Sequence, residues 1–276
     1  MVEKILYALG ILMVTVSTSY CEILRTNDYG LIHDILKIAT ADTLVIFDID
    51  DVIMQPSDQI MKSPCKPHLL VIEADLATRY SPEEVLNFKT IALAAQQPQL
   101  VDHRVLESLA LLKKNNITTL AITYCPTGKH GKIGNFEDWR IEMLKQLSID
   151  FRTLNNITDH RFTEITASHG VPLIKSGIAI TALAKKGIVL DAILKKEKLH
   201  PKKIIFIDDK ITNLQSVQTT ALKNNIAFIG IEYTVVKKGS KLEPVNKIRA
   251  NKQFELLEKD NVWRTDKEVD AILGVL

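Results

Sequence analysis

Three cysteines in 276 residues are too few for a disulfide framework, so the fold has to rest on a packed core. Cys21, Cys65 and Cys125 are far apart in sequence; a Cys65 to Cys125 bridge or two free thiols both remain open at this stage. No apolar run approaches the ~20 residues that a membrane-spanning helix needs. No block of like charge occurs and the formal net charge is only +2, which gives no reason to expect a nucleic acid or an acidic membrane surface as partner. Internal repeats and low-complexity segments are absent. The seven histidines show neither His-x-His nor His-x-x-x-His spacing.

An apolar fraction of 46% is enough for a substantial core, built as one large domain or as a core with an insertion. Residues 5–16 form an apolar run behind Lys4, and small residues follow in Ser17-Thr18-Ser19. This pattern is expected for a secretory signal peptide over residues 1–21, with cleavage after Ser19 or Cys21. Glu3 offsets Lys4, which leaves an uncleaved anchor or an N-terminal core helix as alternatives. Cleavage implies a periplasmic or secreted protein without a stable membrane span.

The segment that organises the chain is Leu44-Val45-Ile46-Phe47-Asp48-Ile49-Asp50-Asp51. An uninterrupted apolar run bounded by polar residues predicts a strand buried on both faces, as in a parallel sheet. Carboxylates at such a strand end face the ligand crevice of an open α/β sheet. A buried carboxylate cluster needs compensating charge, and Mg²⁺ is the natural cation for it. An EF-hand starting at Asp48 is excluded, because Ile53 and Gln59 stand where Gly and Glu are required.

Helix is predicted over residues 22–41, and again between residues 59 and 97, where Ser81-Pro82-Glu83-Glu84 forms a capping box. Residues 56–102 therefore read as a helical cap inserted into a core made of residues 22–55 and 103–276. Further strands end at Thr123 and at Asp208-Asp209, and a fourth covers residues 226–231. Residues 157–174 are weakly patterned, and Ile178-Ala179-Ile180-Thr181 is strand-like. Lys186-Gly187 opens a helix before the Asp208 strand, with Lys185 and Lys175 as competitors for the same role. Asn135 and Thr265 are predicted helix caps.

Parallel strands would bring Asp48, Asp50, Thr123, Lys186, Asp208 and Asp209 into one crevice, a set suited to phosphoryl transfer. The ordered set resembles the four motifs of the haloacid dehalogenase (HAD) superfamily: Asp48-x-Asp50-x-Val52, Thr123, Lys186, and Asp208-Asp209 with Asn213 four residues on. The first motif is also similar to that of secreted bacterial acid phosphatases. Thr123, however, is followed by Tyr124-Cys125-Pro126 in place of Thr-Gly-Arg, which points to an uncharacterised secreted branch.

The resemblance implies a Rossmann-like core and a Mg²⁺-dependent phosphomonoesterase acting on a small phosphorylated substrate. Asp48 would be the nucleophile and Asp50 the proton shuttle. Thr123 and Lys186, with the N–H groups near Ile49 and Tyr124, would hold the phosphoryl oxygens. The metal would be bound by Asp48, the Asp50 main-chain carbonyl and Asp209, with Asp208 and Asn213 steadying the site. Asp51 would be a turn residue. Two alternatives stand beside this. A secreted HAD-like binding or host-interaction protein without turnover is compatible with the departures after Thr123. An Asp-x-Asp glycosyltransferase leaves Thr123, Lys186 and Asp208-Asp209 without a role.

Overall fold

The computed structural model describes residues 21–238 and 244–275. The signal-peptide reading falls outside these residues except at Cys21. The chain alternates strands β1 (Cys21–Thr26), β2 (Thr43–Phe47), β3 (Met54–Pro56), β4 (Pro98–Leu100) and β5 (Thr119–Thr123) with helices α1 (Tyr29–Leu36), α2 (Lys66–Arg79), α3 (Pro82–Ala94) and α4 (Arg104–Lys114). It continues through α5 (Phe136–Gln146), β6 (His160–Arg161), β7 (Leu173–Lys175), β8 (Ile178–Ile180), α6 (Lys186–Lys196), β9 (Lys203–Asp208), α7 (Ile211–Lys223) and β10 (Ala227–Tyr233). Helices α8 (Val235–Lys238), α9 (Lys247–Asp260) and α10 (Asp266–Leu273) complete it.

Eight strands form one sheet in the order β1-β10-β9-β2-β5-β8-β7-β6, parallel from β1 through β8, with β7 running against its neighbours. Successive residues of β2 and β9 feed opposite faces. Val45, Phe47, Ile205 and Ile207 pack with α1, α4 and α5. Leu44, Ile46, Ile204 and Phe206 pack with α6 and α7. Helices thus cover both faces, which is why these strands are apolar throughout. The architecture is the expected α/β, Rossmann-like one. The weakly patterned stretch becomes the short β6–β7 edge, and Ile178-Ala179-Ile180 is a strand paired with β5.

One element differs from the sequence reading. Residues 21–26 are the edge strand β1, not the start of a helix, because Cys21 and Ile23 pack on one apolar cluster and Leu24 on the other, a period of two. Helix α1 begins only after Asp28, whose carboxylate accepts from Gly30 N at 2.7 Å. The caps at Ser81, Asn135 and Thr265 occur as expected.

The inserted segment leaves and returns through the antiparallel β3–β4 ribbon, and α2 and α3 follow within it. Its apolar side chains Ile72, Leu76, Phe88 and Ala92 share a cluster with Ala250, Phe254, Leu257 and Trp263. Helix α9 and the segment after it therefore pack with the inserted helices, whereas the sequence pattern grouped them with the rest of residues 103–276. No hydrophobic run foretells this, since α9 is a polar helix with few apolar positions.

A buried carboxylate stitches the two segments together. Asp58 accepts from Trp263 Nε1 at 2.7 Å, from Gln96 Nε2 at 3.0 Å and from Asp266 N at 2.9 Å. Asp58→Ala strands three donors, at ~1–3 kcal/mol each when buried and unmet. A loss on the order of 3–5 kcal/mol in unfolding free energy is expected by denaturant titration, together with faster proteolysis between residues 244 and 275.

Candidate functional site

The carboxyl ends of β2, β5, β8 and β9 meet in one crevice. Asp48 follows β2, and its N–H donates to Ile207 O at 2.8 Å, so the backbone ladder itself brings it beside Asp208. Asp48, Asp208 and Asp209 are all buried, and one oxygen of each lies within 4.8 Å of the others. Lys186, fully buried at the start of α6, places Nζ 2.7 Å from Asp48 Oδ1 and 2.6 Å from Asp208 Oδ2. Neither Lys185 nor Lys175 is there. Gly187 makes this approach possible, because a Cβ on it would lie 2.1 Å from Ser216 O of α7.

Asp208 is held on its other oxygen by Lys210 N at 2.8 Å and Asn213 Nδ2 at 3.0 Å. Burial pushes the Asp48 carboxyl well above the usual carboxylate range, against the pull of Lys186. Burial also works against the Lys186 ammonium, yet Asp48 and Asp208 hold its pKa above the ordinary lysine value. Among the described residues, Lys186 is the buried ammonium set between these carboxylates, and the half-exposed Lys210 places Nζ 3.8 Å from Asp209. Three carboxylate oxygens at this mutual distance are a donor set that fits a hard divalent cation.

Thr123 ends β5, and its buried Oγ1 forms no hydrogen bond of good geometry among the described residues, with the Cys125 thiol as a weak neighbour. Thr181, beside it after β8, likewise buries an Oγ1 without a partner, and its N–H donates to Thr123 O at 3.1 Å. Two orphaned hydroxyls at adjoining strand ends are donors available to a ligand. The Ile49 N–H differs from expectation. It donates to Asp48 Oδ1 at 2.7 Å, which orients that carboxylate.

Asp50 lies apart from the three clustered carboxylates, so its side chain is not a metal ligand in this arrangement. Its half-exposed carboxylate is gripped by Arg140, with Nη1 2.7 Å from Oδ1 and Nη2 3.2 Å from Oδ2. Arg140 is buried on α5, with its guanidinium 5.0 Å from the Trp139 ring centroid and 5.7 Å from that of Phe136. Burial works against its charge, yet Asp50 beside it holds its pKa above the ordinary arginine value. Sequence reasoning missed Arg140. The available signal was its position on the buried stripe Phe136, Arg140, Leu144, where a charged residue calls for a partner.

The loop after β5 is held by another buried acid, Glu137, which accepts from Gly128 N at 2.7 Å and Arg161 Nη2 at 2.8 Å. Cys65 and Cys125 are free and buried, so no disulfide joins them. Burial pushes the Cys125 thiol up to about 11, which leaves it a protonated packing group.

Asp51 turns the chain with φ of 63°, a left-handed conformation that Asp and Asn tolerate. Its buried carboxylate accepts from Ser63 Oγ. Burial raises its pKa to about 6, with the Ser63 hydrogen bond opposing. A folded-state pKa above the unfolded value of about 3.8 means that this group's contribution is full below about pH 4 and lost as pH rises through about 6. Asp51→Asn removes the titration and keeps the turn. The variant is expected to be more stable than wild type at neutral pH by up to ~3 kcal/mol, with the advantage vanishing below about pH 4 in denaturant titrations across that window.

Comparison with known proteins places these features in context. An uncharacterized protein of Rickettsia prowazekii is 26% identical over 84% of each chain, and a putative outer membrane protein of Chlamydia pneumoniae is 27% identical over 74% of this chain and 75% of its own. A haloacid dehalogenase-like family hydrolase from Streptococcus pneumoniae aligns in structure at 14% identity with a TM-score of 0.36, over 68% of this chain and 93% of its own. Among the described residues no helix is long and apolar enough to cross a membrane. Residues 27–269 match the model of the family described as "Protein of unknown function (DUF2608)", and the chain belongs to that family.

Proposed function

We propose that the chain is a Mg²⁺-dependent phosphomonoesterase of HAD type that works through an aspartyl-phosphate on Asp48. The observation that carries this reading is the buried Asp48–Asp208–Asp209 cluster with Lys186 inserted into it, set beside the orphaned Thr123 hydroxyl.

The Asp48 carboxylate attacks phosphorus, and the bond to the leaving oxygen breaks as a mixed anhydride forms on Asp48. Asp50 supplies the proton to the leaving oxygen and takes one from the water that later hydrolyses the anhydride. For this, Asp50 has to release at least one of the two hydrogen bonds that hold it to Arg140; the guanidinium otherwise keeps the carboxylate in place. Thr123 and Thr181 offer their hydroxyls to the phosphoryl oxygens. Lys186 neutralises Asp48 and Asp208 and keeps the nucleophile oriented. Asp48, Asp209 and the Asp50 carbonyl would hold the metal, with Asp208 and Asn213 behind them. A bound Mg²⁺ would supply charge neutralisation between nucleophile and phosphate. The apolar run over residues 5–16 followed by Ser17-Thr18-Ser19 supports a location outside the cytoplasm.

The test is hydrolysis of a generic aryl phosphate in chelator and then in increasing Mg²⁺. Activity should appear only with the cation, and Asp209→Asn should shift the half-saturating Mg²⁺ concentration upward by about tenfold or more. Equal turnover in chelator, or an unshifted requirement in Asp209→Asn, would sink the metal assignment.

A further inference from the structure

Beside the crevice lies a cavity of about 270 Å³ between the inserted helices, α9 and the loop after β5. Its walls include Met61, Leu69, Leu86, Leu93, Phe136 and Phe254. Its charged lining residues, Glu73 and Lys89, are paired with each other at 3.0 Å, so neither is left to bind a counter-ion. Thr90 and His130 complete the polar part of the lining, and the Thr90 hydroxyl is already bonded to Leu86 O at 2.8 Å, so the space is suited mainly to hydrocarbon. At ~30 Å³ per small group it has room for an aromatic ring or a chain of roughly eight carbons.

Two connections tie this cavity to the catalytic crevice. Phe136 forms part of its wall and packs on Arg140, the residue that grips Asp50. Pro126, also in the wall, is three residues beyond Thr123, a distance of at most ~10 Å along the chain. The boundary on the inserted side is tight. Lys132 N donates to Thr90 Oγ1 at 2.9 Å, and a Cβ on Gly131, with φ of 56°, would lie 2.3 Å from the same hydroxyl. The loop after β5 is thus seated directly on α3, and the cavity lies along this contact.

We infer that this cavity receives the apolar portion of the substrate, which makes the substrate class a phosphomonoester of an alkyl or aryl alcohol, not of a sugar or other polyol. The inference rests on the phosphomonoesterase reading and adds to it the identity of the leaving group. A hydroxylated leaving group would have to strip its hydroxyls of water against these apolar walls. An alkyl or aryl group gains by the same transfer.

The experiment compares kcat/KM for n-octyl phosphate and ethyl phosphate in Mg²⁺, using the full chain and two cavity-filling variants, Leu86→Trp and Met61→Phe. Wild type should prefer the octyl ester by about 100-fold or more, and a folded filled variant should bring the ratio below about five. A wild-type ratio near one, or a ratio unchanged in both variants, overturns the inference while leaving the phosphatase reading intact. If neither ester is hydrolysed, calorimetric titration with n-octylphosphonate decides the cavity, and the phosphomonoesterase reading fails with it only where the aryl phosphate is not hydrolysed either. Binding weakened tenfold or more by filling supports it, and no binding to wild type overturns it.

Discussion

Lys186→Met is expected to lower the unfolding free energy by about 3–5 kcal/mol in the absence of divalent cations, the largest stability effect of any single substitution at the site. The ammonium is fully buried between Asp48 and Asp208, so its removal leaves two carboxylates without their shared counter-charge. Methionine fills a similar volume, which isolates the charge from a packing loss. Added Mg²⁺ should restore part of the deficit, because a cation held by the folded state alone stabilises it by mass action. Urea titrations with and without Mg²⁺ measure both effects. An unchanged midpoint in chelator would mean that Lys186 does not balance the cluster.

The second large effect is chemical. Asp48→Asn keeps an acceptor for the Ile49 N–H and a similar shape, yet removes the proposed nucleophile. Turnover of an aryl phosphate is expected to fall on the order of 10⁴-fold or more. Stability should not fall with it. Burial disfavours the Asp48 carboxylate strongly enough to raise its pKa, so a neutral amide is easier to bury in the metal-free protein. A variant that is inactive and at least as stable as wild type in chelator separates loss of chemistry from loss of fold.

Much of this arrangement was legible in the sequence, because buried parallel strands announce themselves as apolar runs and their polar ends mark the crevice. Asp48, Thr123 and Asp208-Asp209 stand at such ends, and backbone pairing between β2, β5 and β9 brings them together without any help from local sequence. Lys186 was legible for another reason, since a helix start before a strand leads back towards the same edge.

What stayed hidden depends on contacts between distant segments. The strand at residues 21–26 has too few apolar residues to declare its period, and it acquires its identity by pairing with β10. The packing of α9 against α2 and α3 is invisible because a polar helix needs only one apolar stripe to be covered. Arg140 lies 90 residues from Asp50, and only the fold brings the two together. The same pair directs the Asp50 carboxylate at a guanidinium, apart from the Asp48–Asp208–Asp209 cluster.

The most direct test of the account is mass spectrometry of the protein quenched in acid during turnover of an aryl phosphate with Mg²⁺. The account predicts a phosphoryl group on the peptide that contains Asp48, absent from Asp48→Asn and discharged when substrate is exhausted. Phosphate release with Asp48 unmodified throughout, and with Asp48→Asn turning over as fast as wild type, would contradict it.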